Sequence, residues 1–249
     1  MLKVFGFKGG EFGNWLNNSD RQYSLNYAFE ALLDLSRAIK INPISLSIND
    51  SLSIAFGSRG RGNALAHYEP LRRVINLTKM KGAGSLAHEW AHALDDLLGE
   101  AFGCNSFASN ELNCHKVPNV FNSLIDSLKY VDRYEETNFY ANSKLFDKEY
   151  SKTDHGYWSS NEELFARAFA CYIYDELDGK SDYLCGHANS AKIEDGLEAY
   201  PVGEERERIN EQFEHLFEIL REKEILQQLE GNEGWQERDK LENSQLSLL

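Results

Sequence analysis

The spacing of apolar residues changes along the chain, and each change marks an element. Over residues 23–40 (YSLNYAFEALLDLSRAIK) the apolar groups Leu25, Ala28, Phe29, Leu32, Leu33, Leu35 and Ile39 recur at helical intervals. They predict an amphipathic helix, ended by Asn42-Pro43 because the residue before proline is pushed out of the α conformation. The preceding residues 1–20 are glycine-rich and aromatic, with Phe5, Gly6, Phe7, Gly9, Gly10, Phe12, Gly13 and Trp15, and read as a short strand followed by turns. Residues 44–56 alternate apolar and polar, predicting strands broken at Asn49-Asp50. The run GSRGRGN at 57–63 reads as a mobile turn. Ala64–Tyr68 and Arg73–Leu77 read as two further strands around Glu69-Pro70. The first third is therefore expected to be a small antiparallel sheet with a helix against it.

The pattern turns helical after the break at Lys81–Ser85. Ser85 is a fitting N-cap, and the helix it opens is expected to run to about Leu98 and stop at Gly99. Residues 100–158 are less periodic, with one helix near 119–131 among polar loops. A second strong helix is predicted from Asn161 to about Leu177, then irregular chain over 178–203 with a break at Pro201-Val202-Gly203. Residues 204–230 carry Ile209, Phe213, Leu216, Phe217, Leu220, Leu226 and Leu229 as the stripe of a charged amphipathic helix. Residues 231–249 are polar and read as a flexible tail. The expected organisation is one domain over 1–203, the 204–230 helix packing on or extending from it, and the tail.

Composition narrows the function classes. The chain has 249 residues, 42% of them hydrophobic, enough for a sizeable core. Its net charge of −14 argues against nucleic-acid or anionic-membrane binding, which want a basic face. No apolar run approaches the roughly eighteen residues of a membrane span, and MLKVFGFKGG lacks the apolar core of a signal peptide. Cys104, Cys114, Cys171 and Cys185 form no C-x-x-C pair and read as reduced thiols of a cytosolic protein. A second metal site built from Cys114-His115, Cys104 and Cys185–His187 is conceivable on paper, but those spacings match no common zinc module.

The chemistry concentrates in His88-Glu89-Trp90-Ala91-His92, an H-E-x-x-H pattern. On a helix, residues four apart lie one turn above each other, so two imidazoles can grip one metal ion. The ion lowers the pKa of its water from about 15.7 towards about 7, and the intervening carboxylate takes the proton as the water attacks a carbonyl. At about 100° per residue, Leu86, Trp90, Ala93, Leu94 and Leu97 form one stripe, with His88, His92 and Asp95 opposite. Asp95, one turn beyond His92, is a candidate to hydrogen-bond a ligand histidine and fix its tautomer; an acid paired only with water is the alternative.

Catalytic zinc usually takes three protein ligands. None of His67, His115, His155, His187 and His215 follows His92 at the H-x-x-G-x-x-H spacing. A downstream carboxylate is the better candidate, and the helix beginning after Trp158-Ser159-Ser160 opens with Glu162 and Glu163. Ala166 and Ala170 beside Glu163 allow a close approach to the H-E-x-x-H helix. Ser159 with Glu162, or Ser160 with Glu163, can each form a capping box. If Ser159 is the N-cap, Glu163 is free for metal. Glu163 with Arg167 also makes an i,i+4 ion pair. Glu163 is the favoured ligand, with Glu162 as the alternative.

Five stretches resemble a known family: GFKGGEFGNW (6–15), DRQYSLNYAFEAL (20–32), LSIAFGSRGRGNALAHYEP (52–70), VINLTKMKGAGSLAHEWAHALDD (74–96) and YWSSNEELFARAFACYI (157–173). They are similar to the first large polyvalent-protein-associated domain, a zincin-like domain of phage and conjugative-element proteins. The resemblance spans roughly residues 5–177. It implies an α+β, zincin-like metallopeptidase fold with a small twisted sheet, an HExxH active-site helix and a mainly helical C-terminal half. It points to His88, His92 and Glu163 as metal positions in a gluzincin-like arrangement, with Glu89 as base, in a bacterial mobile-element setting. It supplies no substrate.

The expectation is a zinc-dependent (Zn2+) metallopeptidase of the bacterial cytoplasm acting on a peptide or protein. The alternatives are a non-catalytic zincin-like binding module that uses zinc structurally, and a metal-dependent amidase of a non-peptide substrate. Tyr157, Tyr172, Tyr174, Arg167 and His155 are candidates to steady an oxyanion, each more often a packing or surface residue. The strand at 73–78 is a candidate to pair with an extended peptide. Arg59 and Arg61 are candidate anion contacts, although a solvated loop accounts for them as well.

Overall fold

The computed structural model describes residues 1–14, 16–58, 66–78, 83–111, 118–150, 156–189 and 198–227. Among these are eight α-helices and four strands. The N-terminal half runs α1 (Leu2–Phe5), β1 (Gly9–Phe12), α2 (Asn18–Ala38), β2 (Ser53–Phe56), β3 (Ala66–Glu69) and β4 (Val74–Leu77). The rest is helical: α3 (Leu86–Ala101), α4 (Asn119–Lys129), α5 (Asn138–Tyr150), α6 (Asn161–Glu176), α7 (Asp182–Cys185) and α8 (Gly203–Glu222). The fold is α+β and mostly helical, and no described helix is long and apolar enough to cross a membrane.

The sheet is mixed rather than antiparallel. Its order is β1-β2-β4-β3, with β1–β2 and β2–β4 parallel and β3–β4 antiparallel. Only β3 and β4 are joined by a tight turn, through the 3-10 segment Pro70–Arg72 and Arg73 at φ 52°. The other pairs are separated by α2 or by β3 itself, and parallel pairing needs such a long connection.

The alternating segment before β2 is not a strand. Pro43–Ser47 is a 3-10 helix opened by Asn42, whose side chain accepts from Ile44 N–H at 3.2 Å. Ser47 Oγ donates to Ile44 O (3.0 Å) and accepts from Asp50 N–H (3.1 Å). Serine hydroxyls that satisfy nearby backbone compete with a ladder, and here they win. The first strand also starts later than the aromatic run suggests: Leu2–Phe5 is a helical turn closed by Gly6 at φ 68°, where a Cβ would lie 2.7 Å from Ser47 Oγ.

Gly99 does not stop α3, which continues to Ala101. A Cβ at Gly99 would collide with the Ser106 carbonyl and lie 2.9 Å from Ala108 N, so this glycine admits a crossing backbone. Helix α5 lies in the stretch read as polar loop. Its first N–H groups, on Asn138 and Phe139, donate to Glu205 of α8 at 2.8 and 3.0 Å. Thr137 caps the same turn locally, its Oγ1 accepting from Tyr140 N–H at 3.1 Å, but nothing near α5 announces Glu205. Helix α8 ends at Glu222, short of the predicted 230. Glu224 takes φ 55°, and the N–H groups of Ile225 and Leu226 turn back to Leu220 O at 3.0 and 3.1 Å, which buries Leu226. Leu229 and the 231–249 tail lie outside the described residues, as do Trp15 and most of the 57–63 turn.

The core sits where α3, α6 and α8 meet. Every α6 residue from Glu163 to Ile173 is buried. Trp90 of α3 is fully buried, its ring 5.5 Å from Phe169 and 6.5 Å from Phe217, with its indole N–H on Leu46 O at 2.9 Å. Helix α8 lays Ile209, Phe213, Leu216, Phe217 and Leu220 onto α4 and α6. Each such large side chain contributes about 1.5–3 kcal/mol on burial. This packing fixes α6 against the middle of α3.

Candidate metal centre

Helix α3 carries His88, Glu89 and His92, and the first turn of α6 carries Glu163. The two Nε2 atoms lie 3.1 Å apart. Glu163 Oε2 is 3.5 Å from His88 Nε2, and Oε1 is 3.4 Å from His92 Nε2. These ligand atoms all lie within 4.8 Å of one another. Donors about 2.0–2.1 Å from a tetrahedral zinc ion stand roughly 3.3 Å apart, so the observed separations fit one ion. Among the described residues no other group of three His, Cys, Asp or Glu converges this way. The second site drawn from cysteines does not assemble from them: Cys185 is buried with Sγ on Ser181 O at 3.5 Å, and His187 bonds Ser85. Cys114 and His115 lie outside the described residues.

The two acids part through their contacts rather than through the helix start. Ser160, not Ser159, is the N-cap, and it makes no side-chain cap bond; its Oγ donates to Tyr157 O at 2.9 Å. Glu163 thus holds the capping-box position yet turns to the histidines. Glu162 lies near Asp95 and Lys129, whose charges it influences, and its Oε2 is buried with no hydrogen-bond partner among the described residues.

Burial and mutual charge set the protonation states. Burial, joined by the charge of His92, pulls His88 down to about 3. Burial also opposes the charge on His92, but the hydrogen bond and charge of Glu163 outweigh it and hold His92 above its ordinary value. Burial would raise Glu163; hydrogen bonding to His92, both histidine charges and the Tyr157 hydroxyl overcome it and bring it to about 2. Burial pushes Glu89 up to about 7, with Glu163 adding and His92 opposing. A carboxyl poised near neutrality suits proton transfer. The Tyr68 backbone N–H lies near Glu89 and opposes that rise. Tyr68 belongs to β3, the outer strand, whereas β4 is covered on both sides by β2 and β3. The strand at 73–78 therefore has no free edge for a peptide; β3 has no second strand beside it among the described residues.

The other predicted residues separate. Asp95 is fully buried and bonds no histidine: its oxygens accept from Ser109 N–H (2.8 Å) and Ser109 Oγ (2.6 Å). The stripe opposite the apolar one is thus partly core. Arg167 forms no carboxylate pair with Glu163. Its buried guanidinium reaches the carbonyls of Glu163 (3.2 Å), Trp158 and Ala199 and the Ser143 hydroxyl (3.1 Å), against the rings of Phe139 and Trp158. Tyr172 bonds Glu214 at 2.7 Å, and Tyr174 lies against Gly179 and Arg206. Of the oxyanion candidates among the described residues, Tyr157 approaches the centre, its hydroxyl near Glu163 and its side chain half exposed. His155, Arg59 and Arg61 lie outside the described residues.

One contributor had no local signal. Asp147 of α5 accepts from the N–H groups of Tyr157 (2.6 Å), Trp158 (2.7 Å) and Ser159 (2.9 Å) and from Ser159 Oγ (2.5 Å). Burial acts to raise its pKa, but these bonds outweigh it and hold it below the ordinary carboxylate value. Asp147 thereby fixes the segment that presents Tyr157.

No curated protein and no solved structure matches the chain. Residues 149–224 match the model of a family described as large polyvalent protein-associated domain 1. Of the five stretches that suggested this family, only 157–173 falls inside the match; α3 with its H-E-x-x-H precedes it, and α8, beyond the stretches, is included. Glu163 therefore lies within the stretch, residues 149–224, that is similar to large polyvalent protein-associated domain 1.

Proposed function

We propose that the chain is a zinc-dependent metallopeptidase with a zincin-like fold, working in the bacterial cytoplasm as part of a mobile element. The observation that carries this reading is the spacing of His88 Nε2, His92 Nε2 and Glu163, 3.1–3.5 Å, beside a buried glutamate. These three residues would hold the ion. Zinc there supplies Lewis acidity and brings the pKa of a water towards about 7.

The chain's own groups supply the rest. Glu89 Oε takes the proton of the attacking water and returns it to the leaving amine. The Tyr68 N–H orients that carboxylate. The Tyr157 hydroxyl, held through Asp147, donates to the substrate carbonyl oxygen. The outer edge of β3 offers an extended peptide a strand to pair with. Glu89 favours catalysis over a binding module, since a structural zinc site needs no base. An amidase of a non-peptide substrate would use the same residues and is distinguished by substrate.

The test is zinc content of the wild type, His88→Ala, Glu163→Ala and Glu162→Ala, with cleavage of labelled casein and a peptide library by wild type and Glu89→Gln. About one zinc per chain is expected in the wild type and Glu162→Ala and not in the other two, with cleavage lost in Glu89→Gln while metal stays. A wild type that takes up no zinc on reloading refutes the reading.

A further inference from the structure

Arg21 stands apart from the other sheltered arginines. It lies in the first turn of α2 and is half-buried. Its guanidinium carbon sits 5.7 Å from the centre of the Phe12 ring, and Phe12 stacks on Phe56 at 5.3 Å with 20° between the planes. Its Nε is buried without a hydrogen-bond partner, and no hydrogen bond or ion pair joins the guanidinium to another described residue. Every other buried or half-buried arginine among the described residues has found one. Arg37, Arg73, Arg206 and Arg221 reach carboxylates, and Arg167 and Arg208 reach carbonyls. The chain has 40 acids against 26 lysines and arginines, so the missing partner does not reflect a shortage of carboxylates. Asp20, its neighbour in the chain, does not pair with it. A charged donor sheltered from water and left unbonded is costly, and an acceptor brought by a ligand would remove that cost.

The place is one where a sheet of this kind receives ligands. Strands β1 and β2 pair in parallel, with Phe12 opposite Phe56 and α2 as their crossover. Both rings therefore stand at the carboxyl ends of their strands. The next N–H groups, of Gly13 and Gly57, still bond to Phe56 O at 2.9 Å and Leu77 O at 2.8 Å. In open sheets with parallel strands, ligands settle in the crevice outside those ends. The first turn of α2 brings Arg21 to this edge, and the stacked rings hold its guanidinium against them. A planar fork held in this way offers paired N–H groups to two oxygens of one anion. Ser58, two residues past Phe56, has a buried Oγ that also lacks a hydrogen-bond partner, so the end of β2 carries a second unmet polar group.

We propose that Arg21 binds the oxyanion of a small ligand, a carboxylate or a phosphate monoester, beside the Phe12–Phe56 pair at the carboxyl ends of β1 and β2. The site uses none of His88, Glu89, His92 and Glu163, and it stands whether or not the metallopeptidase reading does.

The test titrates the full chain with inorganic phosphate and with acetate, in a buffer free of both and at constant ionic strength. NMR of the arginine Nε–H signals reads binding at Arg21 directly, its signal being the one absent from Arg21→Lys. A saturable shift is expected. Stronger binding of phosphate assigns a phosphate monoester, and stronger binding of acetate a carboxylate. Arg21→Gln is expected to weaken binding about 10- to 100-fold, read from the Gly13 amide, with an unchanged melting temperature. Arg21→Lys, which keeps the charge but not the fork, falls between, and it carries the comparison if Arg21→Gln melts early. Glu163→Ala is expected to bind as the wild type does. An Arg21 signal that follows neither anion overturns the proposal. So does equal binding in Arg21→Gln, or loss of binding in Glu163→Ala, which would put the anion on the metal centre instead.

Discussion

Glu163 Oε1 lies 3.4 Å from His92 Nε2, which ties the first turn of α6 to the middle of α3 by charge as well as by packing. Without metal, each group keeps the other ionised. Histidine held above 6.5 stabilises the fold fully below that value and loses the contribution as pH rises through its folded pKa. Glutamate held down to about 2 stabilises above 4.5 and loses the contribution as pH falls towards 2. The pair is therefore strongest between 4.5 and 6.5. Glu163→Gln is expected to cost about 3 kcal/mol in that window and to lower the His92 pKa. Urea unfolding across pH, with NMR titration of the ring, checks both; an unchanged His92 pKa would contradict the pairing.

Asp95 carries the opposite sign for a carboxylate. Burial lifts it to about 7 from 3.8 despite two bonds from Ser109. The folded state holds the proton more tightly, so the contribution is complete below 3.8 and declines as pH rises to about 7. Asp95→Asn keeps the shape and removes the charge. It is expected to be more stable than the wild type above pH 7, by an amount on the order of 1–2 kcal/mol. Thermal melts at acid and alkaline pH read the crossing.

Asp147 holds four donors of the segment bearing Tyr157. Asp147→Ala leaves three backbone N–H groups without their acceptor, at a cost of about 2–3 kcal/mol. Hydrogen exchange at the Tyr157, Trp158 and Ser159 amides is expected to quicken at least tenfold, an energy change of about 1.4 kcal/mol, while zinc content holds. Protection at wild-type level would remove Asp147 from its positioning role.

Gly99 is a clearance site rather than a helix stop. Gly99→Ala drives a methyl into the Ser106 carbonyl, and the two backbones must part. A loss of about 2–4 kcal/mol is expected, although alanine is the better helix former by about 1 kcal/mol. A melting temperature equal to or above the wild type would restore the reading of Gly99 as a terminator.

The chain's own pattern determined the helices whose apolar stripes repeat locally. It marked α2, α3, α4 and α6, and the β3–β4 pair around Glu69-Pro70. It also brought His88, Glu89 and His92 to adjoining helical positions, because a one-turn spacing is a property of the helix alone. Glu163 was legible as one of two acids, but its separation from Glu162 waited on how α6 packs against α3.

What tertiary structure alone decided depends on partners distant in the chain. The sheet direction follows from connections rather than from alternation. The first two N–H groups of α5 go to Glu205, Asp95 turns to Ser109, and Arg167 takes three carbonyls and Ser143 in place of the Glu163 carboxylate. Asp95 and Arg167 are buried polar groups that must find partners, and nothing local names those partners. The sequence could place the candidate ligands on two helices; only the packing of α3 against α6 could bring them within reach of one ion.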